Sequence, residues 1–238
     1  MSPFDSLQLA QPPVAVCFSD SVPEGVKIYP GAVPAGCRFW QEAANGVFAT
    51  VSSNHDLCSI GAYTHNLEIP QQDLGDALKV FADLGYVREQ DLPLIPVLSA
   101  RPKVVIYGPL ETIPLPPDVV LLFVKADQIL ILTEASQQVE GGLPPAMGRP
   151  ACAVVPQAFN SGRTALSLGC CGARAYLDVL KEDIAIFAIP GPMLEAFAGR
   201  VDALVKANSV LTTFHAIRRR DVEAGQHPTV QESLLAMA

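Results

Sequence analysis

The stretch CRFWQEAANGVFATV, residues 37–51, decides the fold, because a related stretch, CAVVPQAFNSGRTALSL, follows at residues 152–168. In each stretch a cysteine opens an apolar segment that ends eight residues later in an asparagine, Asn45 or Asn160, with a glycine close behind. A short run typical of a β-strand comes next in both. Matching features in the same order predict an internal duplication and therefore two related halves.

The similarity between the two stretches continues further along the chain. Each half next has one or two cysteines beside a Gly-Ala pair, then a tyrosine, an Ile-Pro pair and an amphipathic helix. The matched residues are Gly61 and Gly172, Ala62 and Ala173, Tyr63 and Tyr176, Ile69 and Ile189, and Pro70 and Pro190. We predict repeat units at residues 37–90 and 152–210, in halves spanning residues 1–95 and 96–238 that pack as one compact domain.

Other segments predict the elements around these units. The apolar runs PPVAVCF, KVVIYGPL and DVVLLFV favour buried strands, and the third leads into a helix that ends at Gly141-Gly142. Strands that alternate with helices indicate an α/β or α+β fold built from two pseudo-symmetric halves.

The composition disfavours some classes of protein. Half of the 238 residues are hydrophobic, and the formal net charge is −8, opposite to that of a nucleic-acid-binding surface. The longest apolar runs, residues 119–124 and 184–189, fall short of the roughly 20 residues of a membrane-spanning helix. The N-terminus lacks the features of a signal peptide. We therefore expect a cytoplasmic protein without nucleic-acid or membrane partners, its thiols in a reducing compartment. The sequence does not indicate an oligomeric state.

The duplication places most of the six cysteines at matched positions in the two units. Cys37 and Cys152 open the two units, whereas Cys58 and either Cys170 or Cys171 stand beside the Gly-Ala pairs. If the halves pack about a pseudo-two-fold axis, four thiolates converge where the units meet, as a four-cysteine zinc ion or an iron–sulfur cluster requires. The absence of any CxxC pair disfavours zinc ribbons and ferredoxin-like sites. A cluster held by distant loops remains compatible with the spacing.

Several neighbouring residues are candidates for contacts with a cofactor or ligand. The glycines let backbone N–H groups approach a cluster, the arginine could lower a thiolate pKa or hold an anionic substrate, and the tyrosines could line a pocket. The candidates are Gly61, Gly169, Gly172, Arg174, Tyr63 and Tyr176. Cys17, inside an apolar run, is interpreted as a small core residue.

These observations leave three functions open. The first is a 4Fe–4S cluster bridging the halves, for electron transfer to a redox partner or for chemistry on a small-molecule ligand. The second is a structural zinc site in a non-enzymatic binding module. The third is a metal-free enzyme that uses Cys170 and Cys171 as a nucleophile or redox dithiol. No catalytic residue can be assigned, and whether the protein is an enzyme stays open.

The order of these motifs, from about Pro12 to His215, resembles the uncharacterised prokaryotic family of domain of unknown function 169. The segments that carry the resemblance are PPVAVCF, GCRFW, CSIGAYTH, RPACAVV and SLGCCGARAY followed by IPG. The resemblance implies cysteine ligands at Cys37, Cys58, Cys152 and Cys170, which makes Cys171 a bystander. It also implies family positions for Arg174 and Tyr176, and no activity. The segment NHDLC departs from the family pattern, because His55 lies further from Cys58 than the family's histidine does from its cysteine.

Overall fold

One seven-stranded mixed sheet forms the centre of the computed structural model, which describes residues 3–147 and 150–237. The strands are β1 (Val14–Ser19), β2 (Phe48–Thr50), β3 (Val104–Pro109), β4 (Val119–Val124), β5 (Ala146–Met147), β6 (Ala165–Ser167) and β7 (Ala185–Pro190). Their order is β2-β3-β1-β4-β7-β6-β5, and only β5 and β6 pair in parallel. The mixed α/β class predicted from the sequence is confirmed.

The three apolar runs singled out in the sequence are strands in the middle of this sheet. PPVAVCF covers β1 except for its last residue, KVVIYGPL contains β3 and DVVLLFV contains β4, as predicted. Strand β4 is buried along its whole length, because both faces of the sheet are covered. Runs of Val, Ile and Leu without alternation are typical of strands in that position.

Eight helices surround the sheet in the described part of the chain. They are α1 (Arg38–Glu42), α2 (Ser59–Thr64), α3 (Gln71–Asp83), α4 (Ala126–Glu140), α5 (Val154–Ser161), α6 (Cys171–Tyr176), α7 (Leu194–Glu223) and α8 (Val230–Leu235). Helix α4 ends at Gly141 as predicted, where a φ of 72° is a left-handed cap that glycine adopts without strain. None of the described helices combines the length and the apolar character needed to cross a bilayer.

Alternate residues of β4 separate two layers of the core. Leu121 and Phe123 face the layer that contains α1 and α5, whereas Leu122 faces the layer that contains α4 and α7. Because successive side chains of a strand point to opposite faces of the sheet, β4 contributes residues to both layers in turn. Cys37 and Cys152 both belong to the α1 and α5 layer. Both cysteines therefore lie on the same face of the sheet.

Candidate functional site

Five of the six cysteines line one pocket on the α1 and α5 side of the sheet. We call it the thiol pocket, after Cys37, Cys58, Cys152 and Cys170; its volume is about 320 Å³. Cys171 also lines it but is exposed, whereas Cys17 lies buried in β1 and is not a lining residue. The pocket brings together the four cysteines selected from the sequence, whose role as metal ligands stays a prediction.

Each of the four thiols stands where the chain turns into a helix. Cys37 immediately precedes α1 and Cys58 immediately precedes α2. Cys152 lies in the short 3₁₀ turn Ala151–Ala153 that leads into α5. Cys170 is the N-terminal cap of α6, where its Sγ accepts a hydrogen bond of 3.4 Å from the backbone N–H of Ala173. Because these turns meet above the same face of the sheet, the thiols come together despite their separation in sequence.

Two glycines leave the room that the Cys58 thiol occupies. A Cβ added to Gly61 would lie 2.9 Å from Cys58 Sγ, and one added to Gly36 would lie 3.8 Å from the same atom. A Cβ added to Gly36 would also lie 3.0 Å from His55 Nδ1. Small residues therefore hold the backbone close to the thiol, as the Gly-Ala pair in the sequence suggested for Gly61.

The electrostatic surroundings keep the buried thiols protonated in the absence of a cation. Burial, together with the smaller effect of a thiolate charge at Cys58, raises the pKa of Cys152 to about 12. Burial likewise raises the pKa of Cys37 far above its ordinary value, with repulsion from the other three thiolates adding to the effect. Among the described residues that line the pocket, none is Asp, Glu, Lys, Arg or His. A bound metal centre would supply the missing positive charge and displace the protons.

Two buried histidines lie close together beneath the thiols, their ring centroids 6.2 Å apart. His65 Nδ1 donates to the carbonyl oxygen of Gly61 at 2.9 Å, and His55 Nε2 lies 3.4 Å from Thr50 Oγ1. Because the Thr50 hydroxyl donates to the Val105 carbonyl, its oxygen can accept from His55. Within the described residues, His55 Nδ1 and His65 Nε2 then have no hydrogen-bond partner. Each ring is held in one tautomer with a bare nitrogen.

Neutral His65 makes the stability of the fold sensitive to acid. Burial lowers its pKa from 6.5 to about 4, so between these values the unfolded chain takes up a proton that the folded chain excludes. The cost of keeping His65 neutral in the folded chain is therefore negligible above about pH 7, and it increases as the pH falls below that value. Between about pH 7.5 and pH 5 we expect a loss of about 2 kcal/mol from this group.

Urea unfolding of the wild type and His65→Gln at both pH values measures this loss. The variant should lose about 2 kcal/mol less than the wild type over the interval, because glutamine does not titrate. Equal losses in the two proteins would show that His65 is not the source. His55 is present in both proteins; burial, and to a smaller extent the charge of His65, lowers its pKa to about 3, below the interval of the measurement.

Some of the other predicted residues lie in the pocket and some do not. Gly61, Gly172 and Tyr176 line it, whereas Gly169, Tyr63 and Arg174 are not among the lining residues. The Arg174 guanidinium donates to the backbone carbonyl oxygens of residues 168, 181 and 184. Its side chain therefore connects the segments before and after α6 by hydrogen bonds. Its sequence position three residues after a cysteine gave no indication of these partners.

The sequence did not single out Tyr107, which lies fully buried beside the pocket. Burial raises its pKa above the ordinary value, and thiolates at Cys152, Cys37 and Cys58 raise it further, which places the phenol near three of the four thiols. Its ring stacks on Phe39 with centroids 5.7 Å apart. Inside an apolar strand, a tyrosine gives no local signal that distinguishes this position from an ordinary core position.

The comparisons with known proteins identify a family. The family model for domain of unknown function 169, described as "Uncharacterised ArCR", matches residues 5–199. No curated protein and no solved structure matches the chain significantly.

Proposed function

This chain belongs to that family, and we propose that it holds a 4Fe–4S cluster through Cys37, Cys58, Cys152 and Cys170. The observation that carries the proposal is the meeting of these four thiols in one pocket. Cysteine thiolates are the usual ligands of such clusters, and four of them complete the set. The bound cluster would supply one-electron transfer, to a redox partner or to a small molecule.

The residues around the thiols fit a cluster in three respects. Glycines at positions 36 and 61 leave space beside Cys58. The remaining lining is largely apolar, which shields a cluster from water and helps set its potential. The buried thiols also need a positively charged centre to ionise, since no cationic side chain lies among the described lining residues.

A structural zinc ion is the alternative with the same donor set. Zn–S bonds of about 2.3 Å draw four sulfurs to within about 4 Å of one another. Among the described residues, no group of three or more His, Cys, Asp or Glu side chains is arranged so that it could hold a metal ion, which distinguishes neither centre from the other. The four-cysteine donor set suits both, and the metal analysis below decides between them.

We also propose that the two halves arose by duplication, and the sheet supports this. From the central pair β1 and β4 outward, the order is β1-β3-β2 on one side and β4-β7-β6 on the other, with all these neighbours antiparallel. Strands β2 and β6 each follow a helix that starts after a cysteine of the pocket. On this correspondence β3 closes the first half, which puts the boundary between β3 and β4 rather than at residue 95. The Ile69-Pro70 and Ile189-Pro190 pairs then do not correspond, because the first precedes α3 and the second ends β7.

Metal analysis after anaerobic purification tests the cluster. We expect about four irons and four sulfides per chain in the wild type, broad visible absorbance, and no stoichiometric zinc. Cys152→Ala should contain less iron than the wild type, because the remaining three thiols leave one iron without a protein ligand. Cys17→Ala is the matched control, since Cys17 is equally buried but lies outside the pocket.

The vicinal pair provides a second comparison. Iron should be lost in Cys170→Ala and kept in Cys171→Ala, because Cys171 is exposed. About one zinc per chain would contradict the cluster and support the structural metal site. A protein with neither metal after reconstitution would contradict both, and would turn attention to thiol chemistry at Cys170 and Cys171.

A further inference from the structure

The thiol pocket has a second wall that a metal centre does not need. Helix α3 and the segment that follows it supply this wall, opposite the cysteines. We call it the apolar wall, made of Leu78, Phe81, Tyr86, Val87, Leu92 and Ile95. All six side chains are only partly buried, so the folded chain leaves apolar surface open toward the pocket. Such concave apolar surface is typical of a small-molecule site.

The pattern of α3 explains how this wall is formed. Leu74, Leu78 and Phe81 follow the helical spacing of one face, with Leu74 buried against the protein and the next two facing the pocket. The opposite face carries exposed polar pairs, Gln72 with Asp76 and Lys79 with Asp83. The helix therefore lies with its charged side in solvent and its apolar side over the thiols.

The wall is already formed in the folded chain. The backbone N–H of Tyr86 donates to the carbonyl oxygen of Phe81 at 2.9 Å, and the two rings lie with centroids 5.9 Å apart. Val87 donates to the same carbonyl oxygen at 3.2 Å. These bonds turn the chain back over the pocket after the end of α3. A preformed wall spares a ligand the entropy of ordering it.

We propose that the apolar wall binds an uncharged, apolar small molecule of one or two rings, beside the four thiols. The presence of a cluster facing the ligand rests on the proposed function. The binding of the ligand to the apolar wall does not. A cavity of about 150 Å³ is enough for benzene. The thiol pocket, at about 320 Å³, has room for such a molecule next to a metal centre.

The lining also determines the charge of the ligand. The described lining residues include no ionisable group other than the cysteines and two tyrosines, and no amide side chain. Among the described lining residues, a carboxylate, phosphate or sulfonate would find no cationic side chain, and the thiolates of a bound metal centre would repel it. We therefore expect this wall to disfavour anionic ligands, whereas a neutral ring system buries no charge on entering it.

Calorimetric titration of the full chain with 2-naphthol and 2-naphthalenesulfonate tests the inference. These probes share a ring system and differ in charge. We expect 2-naphthol to bind once per chain and the sulfonate to bind at least about 100-fold more weakly, because its charge would be buried without a partner. Equal binding of the two probes, or no binding of 2-naphthol, overturns the proposal.

Variants on one helix locate the binding. Ala77→Phe adds a ring at a lining position and should weaken 2-naphthol binding at least about tenfold by filling the space. Val80→Phe is the matched control, because Val80 is half exposed on α3 and does not line the pocket. Should Ala77→Phe fail to fold, Leu78→Asn makes the same wall polar at smaller volume and should also weaken binding. Unchanged binding in these wall variants overturns the proposal.

The two proposals fail in different ways. A protein that carries iron and sulfide but does not bind 2-naphthol overturns the ligand site and leaves the cluster standing. A protein that binds 2-naphthol through position 77 but never acquires iron supports the ligand site and contradicts the cluster. The titration is therefore run on both the iron-loaded and the metal-free wild type.

Discussion

Gly191→Ala is expected to destabilise the fold by about 4 kcal/mol or more, or to prevent its accumulation. A Cβ at this position would lie 1.6 Å from the carbonyl oxygen of Pro117 and 2.7 Å from its carbonyl carbon. The obstacle is backbone, which cannot rotate away as a side chain can. Moving it would also break the 2.8 Å hydrogen bond from Gly191 N–H to the carbonyl oxygen of Asp118, where β4 and β7 meet.

Urea unfolding followed by circular dichroism measures this effect. Gly199→Ala is the matched control, because Gly199 lies inside α7 and a Cβ there meets nothing within 4 Å. We expect that control to gain up to about 1 kcal/mol from helix propensity. A free energy of unfolding for Gly191→Ala within about 1 kcal/mol of the wild type would contradict the close approach of the two backbones.

Gly61→Ala is expected to reduce metal loading strongly while leaving the fold intact. The added Cβ would lie 2.9 Å from Cys58 Sγ, so the thiol must turn away. Rotation of one cysteine side chain costs the metal-free protein little, and alanine inside α2 favours the helix by up to about 1 kcal/mol. The same rotation removes a ligand. We therefore expect at least about a tenfold loss of metal affinity without a loss of stability.

Gly172→Ala provides the comparison for this variant. Gly172 lines the same pocket and is the glycine of the matched Gly-Ala pair, but a Cβ there meets no heavy atom within 4 Å. Its iron and sulfide content should equal that of the wild type. If Gly61→Ala binds as much iron as Gly172→Ala, the Cys58 thiol is not a ligand. Thermal melts of the metal-free proteins separate this result from a folding defect.

Much of the fold could be predicted from the sequence because the signals were local and long enough. The apolar runs that became β1, β3 and β4 are buried on both faces, and such strands need no alternation to be recognised. Helix α4 carries its own stop signal at Gly141. The order of the strands in the sheet had no such signal, since it depends on pairing between distant segments.

The candidate site likewise has features that the sequence predicted and features that it did not. Internal similarity selected Cys37, Cys58, Cys152 and either Cys170 or Cys171, the family resemblance favoured Cys170, and all five thiols line one pocket. Arg174 was selected on its spacing from the cysteines and on the family resemblance, and its guanidinium donates to three carbonyl oxygens of neighbouring loops. The partners of an arginine depend on which backbone groups the fold brings within reach, and a one-dimensional spacing does not contain that.

The sequence by itself determined the family, the mixed α/β class, the buried strands and the four cysteines at helix starts, because each depends on residue identity or on short-range periodicity. Only the tertiary structure decided which groups surround those cysteines. It placed neutral histidines beneath them, Tyr107 beside them and the half-buried face of α3 opposite them. These neighbours come from segments far apart along the chain, and they meet because both faces of one sheet must be covered.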